Sequence, residues 1–445
     1  MSTCYRVIFQ TYDDTKPEET LQEETIIESA ITAPTNCLDF TMGMELQLKA
    51  VQGIQDNVLN EKLKVLAQKQ TKQCPKCPGK IAKSGKQVSP FHDVFTDHTV
   101  TMQRFKCNSC GYEAPSTAKM LFGTIQSGEL QKIQTQLGAT HSYRESEELL
   151  TTFSAARRGI NNHDRIKHIT ESVGLSLEQI TQTERDVCAA QKVDNLIITV
   201  DGGHIKTTQT DARSMEAMTA VVYCQEAIVS NERNTRNHLT SKNCAASVQD
   251  DNQEQLINGT IVAALKQGMK QDTHVTALCD GAKNCWNVID AIRPLCGGVT
   301  CILDWFHIAM KMQNISLPVP LKNKFLRVKW HLWRGNVDHA LKRLSELAQE
   351  AKTEQCIDKI NKFHAYISNN IPRIPNYRER QKSGAVFTSN LAESTVESLI
   401  NRRCKGQQHM RWSRDGLNPL LQIRAALNST GEWENKWRTA ILNAN

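Results

Sequence analysis

Between residues 195 and 303, short β-branched runs alternate with helical stretches, and this pattern limits the possible folds more than any other feature of the chain. NLIITV (195–200), MTAVVYC (218–224) and EAIVS (226–230) are bounded by polar or turn residues, so each predicts a strand. DNQEQLINGTIVAALKQGMK (251–270) predicts a helix, HVTALC (274–279) a strand, NCWNVIDAIRPL (284–295) a helix and GVTCIL (298–303) a strand. Strands alternating with helices after an opening meander imply a mixed sheet with helices packed on it, an α/β fold. From about 306 to 380 the pattern turns helical, with Trp330, Leu332, Trp333, Leu341, Leu344 and Leu347 as the expected core. A last helical region is expected from about 389 to 440.

Upstream, Asp13, Asp14, Glu18, Glu19, Glu23, Glu24 and Glu28 outweigh Arg6 and Lys16, so the first thirty residues read as an acidic, solvated leader. Residues 43–70 place Leu46, Leu48, Val51, Ile54, Val58, Leu59, Leu63 and Leu66 at helical spacing. From 122 to 190 the pattern is helical and polar: SYRESEELLTTFS forms one helix and, after Gly159, NNHDRIKHITESVG another, with Gly174 as its C-cap. Two short helices across a tight turn suit a helix-turn-helix DNA reader, or an ordinary helical linker. The chain has neither an internal repeat nor a low-complexity tract.

Composition narrows the class. At 445 residues about three domains are expected, and 39% hydrophobic residues with 12 prolines are globular values. The formal charge of +7 is compatible with a polyanionic partner. No apolar stretch approaches the roughly eighteen residues of a membrane span, and MSTCYRVIFQTYDD lacks the layout of a signal peptide. A cytoplasmic protein without membrane partners is expected, its odd count of 15 cysteines being mostly reduced thiols.

Four cysteines stand apart. Cys74-Pro-Lys-Cys77 and Cys107-Asn-Ser-Cys110 are C-x-x-C knuckles about thirty residues apart, each able to supply half of a tetrahedral zinc site. The separation exceeds the commonest spacing, which a longer meander absorbs. A thioredoxin-like redox pair would need a βαβ unit, and none is predicted here. Lys76, Lys80, Lys83, Lys86, Arg104 and Lys106 surround the knuckles, so this Cys4 zinc ribbon can also touch phosphates.

The acids form a second constellation. Asp201 follows NLIITV and precedes Gly202-Gly203-His204, and Asp280 follows HVTALC and precedes Gly281. An Asp at the carboxyl end of a strand lies where ligand sites gather in α/β folds. Two on neighbouring strands can share a hard cation such as magnesium, although Asp-Gly is also a common turn. Within TSNLAESTVESLINRRC, Glu393 and Glu397 share a helix face, but Asn390/Glu393 and Ser394/Glu397 also fit capping boxes. Downstream, Arg402, Arg403, Lys405, Arg411 and Arg414 form a basic run that suits a phosphate backbone or a solvated face.

Asp201-Gly-Gly-His204, Cys279-Asp280-Gly-Ala-Lys-Asn, Leu303-Asp304-Trp-Phe-His307 and Ala392-Glu393-Ser, followed by Arg403, Met410-Arg-Trp-Ser413 and Leu421-Gln-Ile-Arg424, resemble the DDE transposases of bacterial insertion sequences. Within them the pattern is most similar to the group typified by the Kra-type and Lre-type elements, from about residue 195 to 437. Members often carry an N-terminal cysteine-knuckle and helical region like residues 74–190. The interval Cys404–His409 before Met410 is longer than usual.

The resemblance implies an RNase H-like core with Asp201, Asp280 and Glu393 as the catalytic triad. It implies Mg2+ or Mn2+ held by the three acids, structural Zn2+ on Cys74, Cys77, Cys107 and Cys110, and DNA as partner, bound by a homo-oligomer. Asp304-x-x-His307 resembles the C/D-x-x-H signature of the hAT and Mutator superfamilies and is expected, with His204, to support the site. The expected organisation is an acidic leader and helical segment (1–70), which the resemblance does not place, a zinc ribbon (71–120), a helix-turn-helix-like region (121–192), the first part of the core (193–307), an all-helical insertion (308–385) and the final core helices with the third acid (386–445). Two other functions fit the same residues. One is a metal-dependent phosphoesterase built on Asp201/His204 and Asp304/His307. The other is a non-catalytic zinc-ribbon DNA-binding protein.

Overall fold

The computed structural model describes residues 3–37, 40–70, 72–153, 158–184, 191–230, 237–405 and 410–445. The chain divides into two compact units, residues 1–170 with 441–445, and residues 171–440.

In the first unit the acidic leader is a β-ribbon, where the sequence predicted no strand. β1 (Thr3–Asp13) pairs antiparallel with β2 (Lys16–Ile31). Tyr5, Val7, Phe9 and Thr11 are half-buried in alternation with exposed residues, as a strand with one covered face requires. The ribbon packs against α1 (Met44–Gln68), the helix expected at 43–70. β3 (Ile81–His92) and β4 (Asp97–Cys107) form the meander between the cysteine knuckles, in register from Ile81 opposite Cys107 to His92 opposite Asp97. His98 Nδ1 lies 2.7 Å from Asp56 Oδ1, tying β4 to α1.

The helices α2 (Ala118–Phe122), α3 (Gly128–Thr140), α4 (Tyr143–Thr152) and α5 (His163–Thr183) follow. The tight turn here joins α3 to α4 through His141 and Ser142, and Ser142 with Glu145 forms a capping box. The predicted turn between α4 and α5 is instead a longer connection with a 3-10 turn at Gly159–Asn161.

The second unit is built on β5 (Asn195–Lys206), β6 (Ser214–Cys224), β7 (Ile228–Ser230), β8 (Asn237–Leu239), β9 (Asn243–Ser247), α6 (Glu254–Lys266), β10 (His274–Cys279), α7 (Lys283–Ile292), β11 (Gly298–Leu303) and α8 (Trp305–Asn314). Five strands form one mixed sheet in the order β9-β6-β5-β10-β11. β5, β10 and β11 are parallel, while β6 and β9 are antiparallel to their neighbours. The expected strand at 226–230 shortens to β7 and pairs with β8, outside this sheet.

Side chains alternate across β5, and both faces are covered. Leu196, Ile198 and Val200 pack with Leu256 and Ala263 of α6 and with Val288 and Ile289 of α7. Ile197 turns the other way, towards Val221, Tyr223, Leu278 and Ile302. Burying each Leu or Ile stabilises the sheet by about 1.5–3 kcal/mol, which is why strands covered on both sides read as unbroken apolar runs.

That second face is covered by the helices that follow: α9 (Val319–Arg327), α10 (Lys329–Trp333), α11 (Val337–Glu350), α12 (Glu354–Ser368) and α13 (Tyr377–Lys382). Leu332, Leu344 and Leu347 lie in this core, with Trp333 and Leu341 packed against it. Trp330 does not: its expected core position is corrected to the surface, where it is 55% exposed. The chain closes with α14 (Asn390–Val396), a π-helical turn at Glu397–Asn401, α15 (Arg402–Cys404), α16 (Arg414–Asn428) and α17 (Glu432–Ala444).

Gly174 is not a C-cap, because α5 continues through it to Thr183. A Cβ at 174 would collide with the Pro419 carbonyl of α16, so the glycine serves close helix approach. Gly174→Ala should therefore destabilise the chain by about 1–3 kcal/mol through forced separation of α5 and α16. Urea denaturation checks this, and an unchanged midpoint would contradict it. Among the described residues, no helix is long and apolar enough to cross a membrane.

Candidate functional site

Strand register assembles the site. Val200 of β5 lies opposite Cys279 of β10, and Cys279 opposite Leu303 of β11. The next residue on each strand is an aspartate, so Asp201, Asp280 and Asp304 stand in one row at the same sheet level. Parallel pairing stops there, but β5 does not end at Val200 as expected. It runs on to Lys206 because β6 continues to pair with it, Asp201 lying opposite Thr219. Asp201 therefore sits in a strand whose parallel neighbour has just ended, open on that side.

Two of the acids and one histidine meet. The ligand atoms of Asp201, His307 and Glu393 all lie within 4.8 Å of one another. Asp280 and Asp304 line the same small cavity, with Ser389. Asp280 is turned to accept the Ala282 N–H at 2.8 Å, at the start of α7. His307, in the first turn of α8, places Nε2 3.9 Å from Asp201 Oδ1 and 3.5 Å from Asp304 Oδ2.

Asp304 is buried and its oxygens are occupied. Oδ1 accepts the N–H groups of Phe306 at 3.1 Å and Ser389 at 3.0 Å, and Oδ2 accepts the Ser389 hydroxyl at 2.5 Å. One carboxylate thus caps α8 and clasps the residue that begins α14, which carries Glu393. Two tyrosines of the helical segment hold the adjacent backbone. Tyr366 donates to the Asp280 carbonyl at 2.8 Å and Tyr377 to the Leu303 carbonyl at 2.6 Å.

Burial sets the electrostatics. It raises the Asp201 carboxyl above its ordinary value, with the nearby Asp280 and Asp304 charges adding to the rise and His307 opposing it. Burial also raises Glu393, followed by repulsion from Asp201. Among the described residues, no Lys or Arg pairs with either carboxylate. Oxygen ligands that repel one another, with an imidazole beside them, suit a hard divalent cation. Glu397 is exposed and hydrogen-bonded to Asn401, so of the two glutamates it is Glu393 that joins the cluster.

His204 lies three residues beyond Asp201 on the same regular strand, hence on the opposite face, and it is exposed opposite Glu216. The Asp201/His204 pair of the phosphoesterase alternative is not brought together. The basic run also divides. Arg402 and Arg411 are exposed. Arg403 is not available to a phosphate: it is buried, its guanidinium 4.9 Å from the Trp412 ring and Nη1 3.1 Å from Met410 Sδ. Its charge is held inside because the aromatic face and the sulfur receive it. Arg414 is engaged with the Val248 carbonyl and lies 3.8 Å from Asp250. Lys405 approaches β5 at Gly203, where a Cβ would lie 2.7 Å from its Nζ. Gly203 is two residues from Asp201 and therefore on the same face.

Four supporting residues escaped sequence reasoning: Ser389, Tyr366, Tyr377 and the role of Arg424. Buried Arg424 donates through Nε to the Leu399 carbonyl at 2.7 Å and through Nη2 to that of Ser398, within the π-helical turn that follows α14. Burial lowers its pKa to about 10. No local pattern announces such contacts.

The cysteines form a separate centre in the first unit. The Sγ atoms of Cys74, Cys77, Cys107 and Cys110 all lie within 4.8 Å of one another, with Cys74–Cys110 and Cys77–Cys107 each at 3.6 Å. A zinc tetrahedron with bonds of about 2.3 Å has sulfurs roughly 3.8 Å apart. The N–H groups of Lys76, Gly79 and Ser109 point at sulfurs from 3.3–3.4 Å. Backbone N–H groups of Cys110 and Ser109 draw the Cys107 thiol down towards the thiolate. Its neighbour Cys77, against the pull of the Gly79 N–H, is pushed up by Cys110, burial and the other sulfurs. The cluster can bind a structural metal such as zinc.

Fold and sites together define a mixed α/β protein with a Cys4 cluster that can bind a structural metal and a carboxylate–histidine cluster at the carboxyl ends of the parallel strands. The chain belongs to the uncharacterised protein family UPF0236, whose pattern matches residues 130–439. No curated protein is similar to it.

Proposed function

We propose that the chain is a transposase of a bacterial insertion sequence, cutting and joining DNA strands by DDE chemistry with divalent metal. The observation that carries the proposal is the convergence of Asp201, from a central strand, and Glu393, from a helix far downstream, with Asp280 on the adjacent strand end. The strand order β9-β6-β5-β10-β11, in which only β6 runs against the other four, supports an RNase H-like core. Helices α9–α13 intervene between the second and third acids, as an insertion into such a core would.

In this mechanism Asp201, Asp280 and Glu393 hold magnesium or manganese. When bound, the metal supplies activation of an attacking oxygen and stabilisation of the leaving oxygen in an in-line displacement. Asp201 and Glu393 present acceptor oxygens from two directions, and His307 orients Asp201 while sharing Asp304. Arg402, Lys405 and Arg411 contact phosphates, and the zinc ribbon with the α3–α5 helices grips the element's ends. The protein works in the cytoplasm on DNA, as a homo-oligomer pairing two ends.

The direct test incubates the full chain with duplexes carrying the inverted repeats that flank its gene, with magnesium or manganese. Cleavage at the repeat ends is expected. Intact, zinc-loaded protein that binds those ends and never cuts them would leave only the non-catalytic alternative.

Metal binding has its own signature. Both carboxyls have raised folded values, so the metal-free folded chain holds protons more tightly than the unfolded chain. The pair's contribution is thus most favourable when protonated. It is lost as pH rises from the ordinary carboxylate range through the raised folded values. Asp201→Asn combined with Glu393→Gln should flatten that decline in a melting-temperature profile. Magnesium should stabilise the wild type by about 1.4 kcal/mol at tenfold over its Kd, and the double variant hardly at all. Equal stabilisation of both proteins would place the ion elsewhere.

A further inference from the structure

Between residues 319 and 343 the chain carries seven lysines and arginines against a single acid, Asp338, a local excess nearly as large as the +7 of the whole chain. Several of these cations serve the fold. Lys322 donates to the carbonyls of Met312, Gln313 and Ile315, Lys324 pairs with Glu350, and Arg343 with Glu346. Arg327 and Arg334 do not: both are exposed, and their guanidinium groups have no hydrogen-bond or ion-pair partner among the described residues.

Asn323, Arg327, Trp330 and Arg334 recur at helical spacing along α9 and α10, and all four are exposed. Phe325, Val328 and Leu332, on the other side of the same helical run, are fully buried. The run is therefore amphipathic in the ordinary way except that its solvent stripe has a tryptophan at its centre. Trp286, Trp412, Trp433 and Trp437 are all under 10% exposed, whereas Trp330 leaves 55% of its surface to water. A large aromatic ring left exposed between unpaired cations fits a polyanion that also has flat apolar faces to stack.

Lys329 ties the stripe to α8, the helix that follows the aspartate row. Lys329 Nζ lies 5.8 Å from the Trp330 ring and 5.7 Å from that of Trp305. Trp305 directly follows Asp304, so one ammonium spans from the exposed ring to the residue next to the aspartate row.

We propose that the outward stripe of α9–α10 is a platform for unpaired DNA, with a base stacked on Trp330 and flanking phosphates held by Arg327 and Arg334. The identity of the strand rests on the DNA function proposed above, but the platform does not require cleavage. Base stacking is sequence-tolerant, because every base has a π-face, and is confined to unpaired nucleotides, whose faces are free. A duplex meets only the arginines.

The test is binding without added divalent metal. The probes are an oligothymidine of about 20 nucleotides, a blunt duplex of the same length and the matching oligouridine, followed by fluorescence anisotropy and by quenching of tryptophan emission. Trp330→Ala should weaken oligothymidine binding roughly tenfold or more and remove most of the quenching, Trp330→Phe should restore most of the affinity, and duplex binding should stay unchanged. Arg327→Ala and Arg334→Ala should each weaken both DNA probes and lower the single-strand salt slope by about 0.7. Trp330 is exposed, so these variants should fold, which their melting curves report. Unchanged oligothymidine affinity in Trp330→Ala, or equal loss for both DNA forms, overturns the platform. Tighter binding of the oligouridine than of the oligothymidine overturns the assignment to DNA. A Trp330→Ala change in oligomer size with no change in DNA binding makes the ring a protein contact instead. Asp201→Asn should bind every probe like wild type, so a failure of the catalytic proposal leaves a different record from a failure of this one.

Discussion

Asp201→Asn, Asp280→Asn and Glu393→Gln should each lower magnesium-dependent strand cleavage roughly a thousandfold or more, because a metal-held displacement draws several kcal/mol of charge stabilisation from its ligands. Binding to the same duplex should persist, since removing an acid beside a phosphate backbone does not weaken its attraction to cations. Glu397→Gln is the control: Glu397 is exposed and bonded to Asn401, so its variant should cut like wild type. Asp280→Asn tests the acid whose carboxylate is turned towards Ala282 and stands outside the Asp201–His307–Glu393 group. Wild-type cleavage by Asp280→Asn would assign the site to the other two acids and His307. Wild-type cleavage by Asp201→Asn would end the DDE proposal. Single-turnover cleavage of labelled duplex is the measurement.

Removing a ligand of the cysteine centre should have an equally large effect on the first unit alone. The ribbon's small core consists of Cys74, Ile81 and Cys107, with Cys77, Phe105 and Tyr112 packed against it. Half of that cluster is ligand sulfur, so the fold there has little apolar burial to survive on. Structural zinc contributes about 10–16 kcal/mol of apparent binding energy in small fingers at neutral pH. Cys107→Ser should therefore release the metal and open the ribbon to protease, while the sheet of the second unit keeps its cooperative melting. Metal analysis should find about one zinc per wild-type chain and far less in the variant. A wild-type chain that stays protease-resistant after zinc is stripped would show that the ribbon stands on hydrophobic contacts.

Much of the sheet is legible in the sequence, for physical reasons that vary by strand. β10 and β11 have the predicted bounds because each is a compact apolar run ended by an aspartate at the point where pairing stops. The sequence predicts that β5 ends at Val200, because Asp-Gly-Gly resembles a turn. Only pairing with β6, invisible locally, carries it to Lys206. β9 was missed since Asn-Cys-Ala-Ala-Ser has little β-propensity, and its burial comes from α6 and α16. The acidic ribbon escaped because its alternation is diluted by glutamates on exposed positions. At the site, Asp201 was legible from its context, whereas Glu393 was told from Glu397, and His307 picked out beside Asp304, only through the family resemblance. The burial of Arg403 was not, because a charge run looks solvated until an aromatic partner is known.

The clasp between Asp304 and Ser389 bears on when activity can arise. The sheet carrying the aspartates is complete once the ribosome has released the segment through Leu303, long before Glu393 is made. Ser389 must then return across the intervening helices to reach a carboxylate buried at the strand end. Joining such distant points is slow, since loop closure precedes the contacts that reward it. A nascent chain therefore lacks the third acid, so the cutting proposed above would be withheld until α14 is synthesised and seated. For the DNA-cutting enzyme proposed here, that order of assembly would separate translation from catalysis.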